Sequence, residues 1–303
     1  MKKVYLVTGC RGFIGRNLCK YLKKVEPKSK IIELPKKIDL LSSSQTMNFF
    51  KKIKIKVDYV FHLADVSGNK NWAFQNSFFQ THANMQIHLN TIMSWKKYLP
   101  KSKFIFVSSI WAYPIGQIYQ REENYWHGKL IEYAKHYAYS KKIVSLLLES
   151  AYNNFKLKSS TLILGTVFGP GDKSDHFIPT IIRRINKNPS KLEINGSGRE
   201  SRDFIYIDDQ IKAIYLHKDT KESLLNIGTG RLIDIRQIII KLKKIMNFSG
   251  KIIFKKSKKN DKDVKRGMNV NKAIRSSGWP KKFKLVDINK ALAETVNDMK
   301  ING

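Results

Sequence analysis

The chain has 303 residues, 42% of them hydrophobic, and a formal net charge of +33 from 57 Lys and Arg against 24 Asp and Glu. That length and apolar content exclude a disordered chain, a collagen or a disulfide-built miniprotein, and fit one large domain or two intimate ones. The two cysteines, Cys10 and Cys19, form no CxxC pair and join no Cys/His cluster, so no metal site is expected and a reducing, cytoplasmic setting is.

Val4 to Val7 reads as a first strand. Val7-Thr8-Gly9-Cys10 has the look of a lipoprotein cleavage box, but the apolar run before it is far shorter than the roughly 7–15 residues a signal peptide needs. Ile14 to Lys24 is a helix, Lys30 to Leu34 a strand, Ser44 to Lys54 a helix and Tyr59 to Leu63 a strand. Asn84 to Tyr98 is a helix, Phe104 to Ser108 a strand, Tyr137 to Asn153 a long helix and Ser160 to Leu164 a strand. Strands separated by helices of this length imply βαβ units. The expected fold is α/β, a Rossmann doubly wound parallel sheet over residues 1–170, with 202–235 returning to it. After Gly171 the rhythm changes. A helix at Phe177 to Asn186, a short strand at Leu192 to Ile194, a helix at Ile235 to Met246, a strand at Lys251 to Phe254 and a helix at Val286 to Met299 suggest a smaller, discontinuous substrate domain over 171–201 and 236–303. No stretch approaches the roughly 20 apolar residues of a membrane span. The lysines are spread along the chain, densest from Lys241 to Lys284, and accompany no nucleic-acid motif, so no specific nucleic-acid partner is expected.

Directly after the first strand stands Gly9-Cys10-Arg11-Gly12-Phe13-Ile14-Gly15. In such a loop the first glycine makes the turn, the second admits a pyrophosphate to the backbone, and the third lets the helix pack on the sheet. The helix N-terminus then meets the phosphates with free N–H groups. The second strand offers no clear acidic partner for a ribose 2′-hydroxyl: Glu33 lies inside the strand, and Arg11, Lys36 and Lys37 are placed to embrace a 2′-phosphate. NADP(H) is therefore the preferred cofactor, with NAD(H) as the alternative.

Tyr137 and Lys141 stand one helical turn apart on one face. An ammonium beside a phenol stabilises the phenolate, which tunes the tyrosine for proton transfer. Ser108-Ser109, at the end of the fourth strand, is placed to hold a substrate oxygen.

With these residues the chain resembles the extended short-chain dehydrogenase/reductases that act on sugar nucleotides. The resemblance runs from the glycine loop through Asp58 to Ala64, Asn84, Ser109, Tyr113, Tyr137 and Lys141 to Phe168 to Asp172 and Arg202 to Asp209. Within that family it is most similar to the GDP-L-fucose synthases, on Ile38 to Leu41, Tyr113-Pro114, His127-Gly128, His176 to Pro179, Asn226 to Gly230 and Lys265-Arg266. The resemblance implies Ser109, Tyr137 and Lys141 as catalytic. It implies Asp39, Leu40, Leu63 and Ala64 lining the cofactor, Arg184, Arg202 and Arg266 on the nucleotide diphosphate or sugar, and a homodimer. Those synthases epimerise with a cysteine and a histidine. His176 fills the histidine position, as an acid–base group or as a hydrogen-bond donor to the sugar. Trp111 stands at the cysteine position, and an indole has no proton to exchange near neutral pH; it is read as a wall against the sugar, or as packing. The expected activity is NADP(H)-dependent reduction of a 4-keto nucleotide sugar, GDP-linked, without C3/C5 epimerisation. The alternatives are a 4-epimerase, dehydratase or 4-dehydrogenase with retained NAD, and a non-catalytic polyanion-binding protein.

Overall fold

Strand β1 (Val4–Thr8) is fully buried over its last four residues, as an unbroken apolar run must be when both faces of a sheet are covered. β2 (Lys30–Glu33) and β3 (Tyr59–His62) lie parallel on either side of it, with Tyr5 opposite both Ile31 and Tyr59. β4 (Lys103–Ser109) runs parallel to β3. With β5 (Ser159–Leu164) and β6 (Leu224–Ile227) they form a six-stranded sheet in the order β6-β5-β4-β3-β1-β2. The order reverses at β1, and in open α/β sheets the crevice at such a reversal, beyond the carboxyl ends of the strands, takes the ligand. This computed structural model, which describes residues 2–255 and 264–301, thus has the Rossmann α/β architecture expected from the sequence.

Helices cover the sheet. In α1 (Phe13–Val25) the buried residues Gly15, Leu18, Cys19 and Leu22 recur at helical spacing. α2 (Ser43–Lys51) starts on Ser42, whose hydroxyl accepts from the Gln45 N–H. α3 (Lys70–Gln75), α4 (Ser77–Tyr98) and α5 (Lys135–Phe155) follow. α4 starts earlier than expected, at Ser77 instead of Asn84; Phe78 (85% exposed) and Phe79 face outward there, so apolar spacing does not mark its first turns. Phe50, Ile92, Trp95, Leu148 and the strand residues Leu6, Val60, Phe104 and Phe106 build one core between the sheet and these helices. Trp95 packs at 4.8 Å against Phe104 with the rings tilted by 40° and donates its indole N–H to Ser102, so its polar atom is satisfied in the core.

These elements, except Leu164 at the end of β5 and Asn226 and Ile227 at the end of β6, belong to the first of two units, comprising Met1–Ile115, Asn124–Ile163 and Ile214–Leu225; the second comprises Gly116–Glu123, Leu164–Ala213 and Asn226–Gly303. Residues 202–213 and 226–235, assigned to the nucleotide-binding part from sequence, cluster with the second unit. The cause is local pairing: Ser201–Arg202 sits between Ile233–Asp234 and Lys265–Met268, in a four-stranded sheet completed by Tyr119–Gln120. The second unit also holds a parallel pair, Lys191–Asn195 with Lys251–Lys255, and the helices Phe177–Asn186, Ile235–Ile245, Asn271–Ser277 and Ile288–Ile301. Part of the lysine-dense stretch, 256–263, lies outside the described residues.

Candidate active site

The glycine loop is a cradle that side chains would fill. Gly9 has φ +67°, and a Cβ there would stand 2.5 Å from the Ala64 nitrogen. A Cβ on Gly15 would stand 2.1 Å from the Gly9 oxygen. Gly12 caps α1 without a side chain, and the first turn, Phe13 and Ile14 included, carries no acidic residue. The helix start is thereby left bare and positive, which fits a dinucleotide pyrophosphate. Leu63 and Ala64, beyond β3, press against Gly9. Arg11 donates to the Leu34 carbonyl at 2.9 Å, so its guanidinium is fixed at the end of β2. Glu33 turns to Lys23 on α1, with a 2.8 Å ion pair; Lys36 and Lys37 are exposed. Asp39 accepts from the Leu41 N–H at 2.9 Å, and Leu40 is buried with its carbonyl held by Asn90.

The alternation of β4 separates its two terminal serines. Ser108 turns inward to the Tyr125 hydroxyl at 2.9 Å. Ser109 faces the other way, accepts from the Trp111 N–H and hydrogen-bonds Tyr137. Trp111 lies in the single turn Ile110–Ala112, its ring 5.8 Å from that of Tyr133. Lys141, 3% exposed, donates to the Val107 carbonyl at 3.0 Å, and its ammonium lies 5.4 Å from the Tyr137 ring centre. Ser109, Tyr137 and Lys141 are therefore gathered at the carboxyl end of β4.

A fourth group joins them that the sequence does not single out. Asp65 Oδ2 accepts from the Tyr137 hydroxyl at 2.9 Å and lies 3.1 Å from Lys141 Nζ. Its segment is clamped to α4: Asn84 accepts from the Val66 N–H at 2.7 Å and, with Gln80, donates to the Val66 carbonyl. Behind it runs a buried chain, from the Thr8 hydroxyl to His62 Nδ1 at 2.7 Å, then His62 Nε2 to His88 Nδ1 at 2.8 Å. His88 Nε2 ends 3.6 Å from Asp65 Oδ1. Burial pushes the His62 imidazole down to about 3 and that of His88 well below its ordinary range, so both rings are neutral. Burial, together with the Asp65 charge and hydrogen bond, holds the Tyr137 phenol well above its ordinary value, against the lowering bond from Ser109. The direction is opposite to that expected from an ammonium beside the phenol, because burial of the phenol, and then the Asp65 charge and hydrogen bond, raise it. The one sequence signal for Asp65 is its place directly after β3, beside Leu63 and Ala64.

In the second unit His176 is exposed and caps the helix Phe177–Asn186. Arg184 donates to the Glu193 carbonyl at 2.6 Å. Arg202 and Arg266 are register partners on adjacent parallel strands; Arg266 is 2% exposed, and Arg202 lies 3.3 Å from Glu200 and over the Phe177 ring. Between them in sequence, the buried Asp203 accepts from the Thr229 N–H and hydroxyl at 2.9 and 2.6 Å and from the Gly230 N–H at 2.9 Å. Burial nevertheless raises its carboxyl to about 6.

Residues 5–228 match the model of the NAD dependent epimerase/dehydratase family. The chain belongs to that family. It is an NAD(P)-dependent enzyme. It is 27% identical over 285 residues to a GDP-L-fucose synthase of Dictyostelium discoideum, covering 89% of this chain and 88% of the relative. It is 31% identical over 275 residues to a dTDP-D-glucose 4,6-dehydratase of the same organism, covering 80% of this chain and 62% of the relative. In structure it is similar to a GDP-mannoheptose C4 reductase from Campylobacter jejuni with NADP bound, at a TM-score of 0.84, 23% identity and coverage of 99% and 98% of the two chains. That last likeness is one of fold.

Proposed function

We propose that this family member reduces the 4-keto group of a nucleotide sugar, GDP-linked, with NADPH and without epimerising C3 or C5. The observation that carries the reading is the convergence of Ser109, Tyr137 and Lys141 at the end of β4, next to a tryptophan where an epimerising cysteine would stand. The named relatives, a GDP-sugar synthase and a GDP-sugar C4 reductase, support the substrate class. The fixed Arg11 and a Glu33 turned to Lys23 instead of to the ribose support NADP(H) over NAD(H). When bound, the nicotinamide supplies a hydride to the carbonyl carbon.

The chain's own groups do the rest. Ser109 holds the carbonyl oxygen, Tyr137 gives it a proton, and Lys141 offsets the negative charge left on the phenol oxygen. Trp111 walls the sugar, and His176 donates to it or exchanges a proton with it. Arg184, Arg202 and Arg266 take the diphosphate, as guanidinium forks do. The proposal further makes the protein a cytoplasmic homodimer. No helix among the described residues is long and apolar enough to cross a membrane, and α4 and α5 leave Met93, Ile143, Leu146 and Tyr152 exposed for a partner copy.

The test is the reaction of purified protein with NADPH and GDP-4-keto-6-deoxymannose in D₂O, with the product read by NMR. NADPH consumption without deuterium at C3 or C5 is expected. Deuterium at either carbon would restore epimerisation, with His176 the first suspect. A turnover that consumes no NADPH would favour the retained-NAD epimerase or dehydratase chemistry instead.

A further inference from the structure

We infer that Asp65 is a positioning residue that commits this site to giving a proton instead of taking one, so that the enzyme starts from a ketone and not from an alcohol. The inference deepens the reading of Tyr137 as the acid and rests on it.

The geometry makes the case. One carboxylate oxygen receives both the Tyr137 O–H, at 2.9 Å, and the Lys141 ammonium, at 3.1 Å. An ionised carboxylate only accepts hydrogen bonds, and a phenolate has none to give. The Asp65–Tyr137 bond therefore exists only while Tyr137 keeps its proton; removing that proton would set two negative oxygens against each other in a partly buried site. The carboxylate is not free to swing away. Val66 is pinned by Asn84 and Gln80, and Asp65 Oδ1 faces His88 Nε2 at 3.6 Å. With both imidazoles neutral, one arrangement of protons runs from Thr8 O–H to His62 Nδ1 and from His62 Nε2–H to His88 Nδ1, and turns His88 Nε2–H toward Asp65 Oδ1, which at 3.6 Å is beyond hydrogen-bond reach. The buried chain thus faces the carboxylate with an N–H dipole.

The other groups facing Tyr137 divide. The Ser109 hydrogen bond favours the phenolate; burial, Asp65 and the neighbouring Tyr125 oppose it, and the balance lies with the phenol. The chemical consequence is directional. In ketone reduction the hydride adds to the carbonyl carbon, the Tyr137 O–H bond breaks as the sugar O–H bond forms, and the phenolate regains its proton from solvent. An alkoxide is a stronger base than any phenolate, so a raised phenol still protonates it. Oxidation of an alcohol, the opening step of a retained-NAD epimerase or dehydratase, needs the phenolate at the outset, and this site disfavours it.

The experiment is a spectroscopic titration of the intact protein, reading phenolate ultraviolet absorbance in wild type, Tyr137→Phe, Asp65→Asn and the double variant. The difference between Asp65→Asn and the double variant isolates Tyr137 without its carboxylate; wild type minus Tyr137→Phe isolates it with the carboxylate. The Tyr137 midpoint is expected to fall by about one pH unit or more when Asp65 loses its charge, an effect that loosened packing alone would not give. An unchanged or higher midpoint overturns the role of Asp65. NADPH turnover of GDP-4-keto-6-deoxymannose by the same proteins tests the underlying reading separately. Full activity of Tyr137→Phe would sink Tyr137 as the acid, whereas an inactive Tyr137→Phe with an unmoved midpoint would sink the inference about Asp65 alone.

Discussion

Two aspartates show how far a single carboxylate depends on its surroundings. Asp65 lies beside an ammonium and accepts from a phenol. Asp203, although it accepts from Thr229 and Gly230, is raised from 3.8 to about 6 by burial. A carboxyl raised on folding binds its proton more tightly in the native than in the unfolded chain. It therefore adds stability below its unfolded value, and that stability is lost as pH rises through about 6. That shift corresponds to about 3 kcal/mol. Thermal unfolding of the wild type is expected to weaken from about pH 4 to pH 7 by an amount of that order. Asp203→Asn is expected to start from a lower Tm, since the Gly230 N–H loses its acceptor, but to lack that slope; an equal slope in both proteins would refute the assignment. At this scale the sequence was partly legible. Tyr137 and Lys141 announce themselves because four residues make one helical turn, and the β alternation divides Ser108 from Ser109. Asp65 does not, because its place after β3 is all that marks it locally: its meaning comes from Asn84 and His88 on α4 and from Tyr137 on α5, all distant in sequence.

At the scale of elements, the first turn of α1 is where sequence and structure agree most closely, since a strand, a spaced glycine triplet and an amphipathic helix leave one way to fold. Gly15 is its tightest point. Gly15→Ala puts a methyl 2.1 Å from the Gly9 oxygen, so the loop or the helix must move, at an expected cost of about 1–3 kcal/mol. Because the strained atoms are those of the phosphate cradle, NADPH affinity, read by fluorescence titration, should fall along with Tm; unchanged affinity would mean that the pyrophosphate does not rest there. Helices with one apolar stripe, such as Phe177–Asn186, were bounded correctly from periodicity alone. The start of α4 was not, because exposed Phe78 and Phe79 hide the period there. The helix Ile207–Leu216 went unread because it opens with Asp208-Asp209, polar residues that resemble a loop until their place in the fold is known.

For the whole molecule, the apolar residues left outside on α4 and α5 carry the proposed assembly. Replacing both Ile143 and Leu146, each exposed, with glutamate should halve the mass measured by light scattering and leave the far-ultraviolet spectrum intact; a wild type that already scatters as one chain would end the homodimer proposal. The division into two units has a different consequence. The groups proposed to govern the proton given to the ketone, from Thr8 to Lys141, belong to the first unit, while His176, Arg184, Arg202 and Arg266 belong to the second. The two can therefore be inherited on separate terms: a lineage can trade one sugar for another by rewriting the second unit, and pass on the acid–base chemistry of the first unaltered.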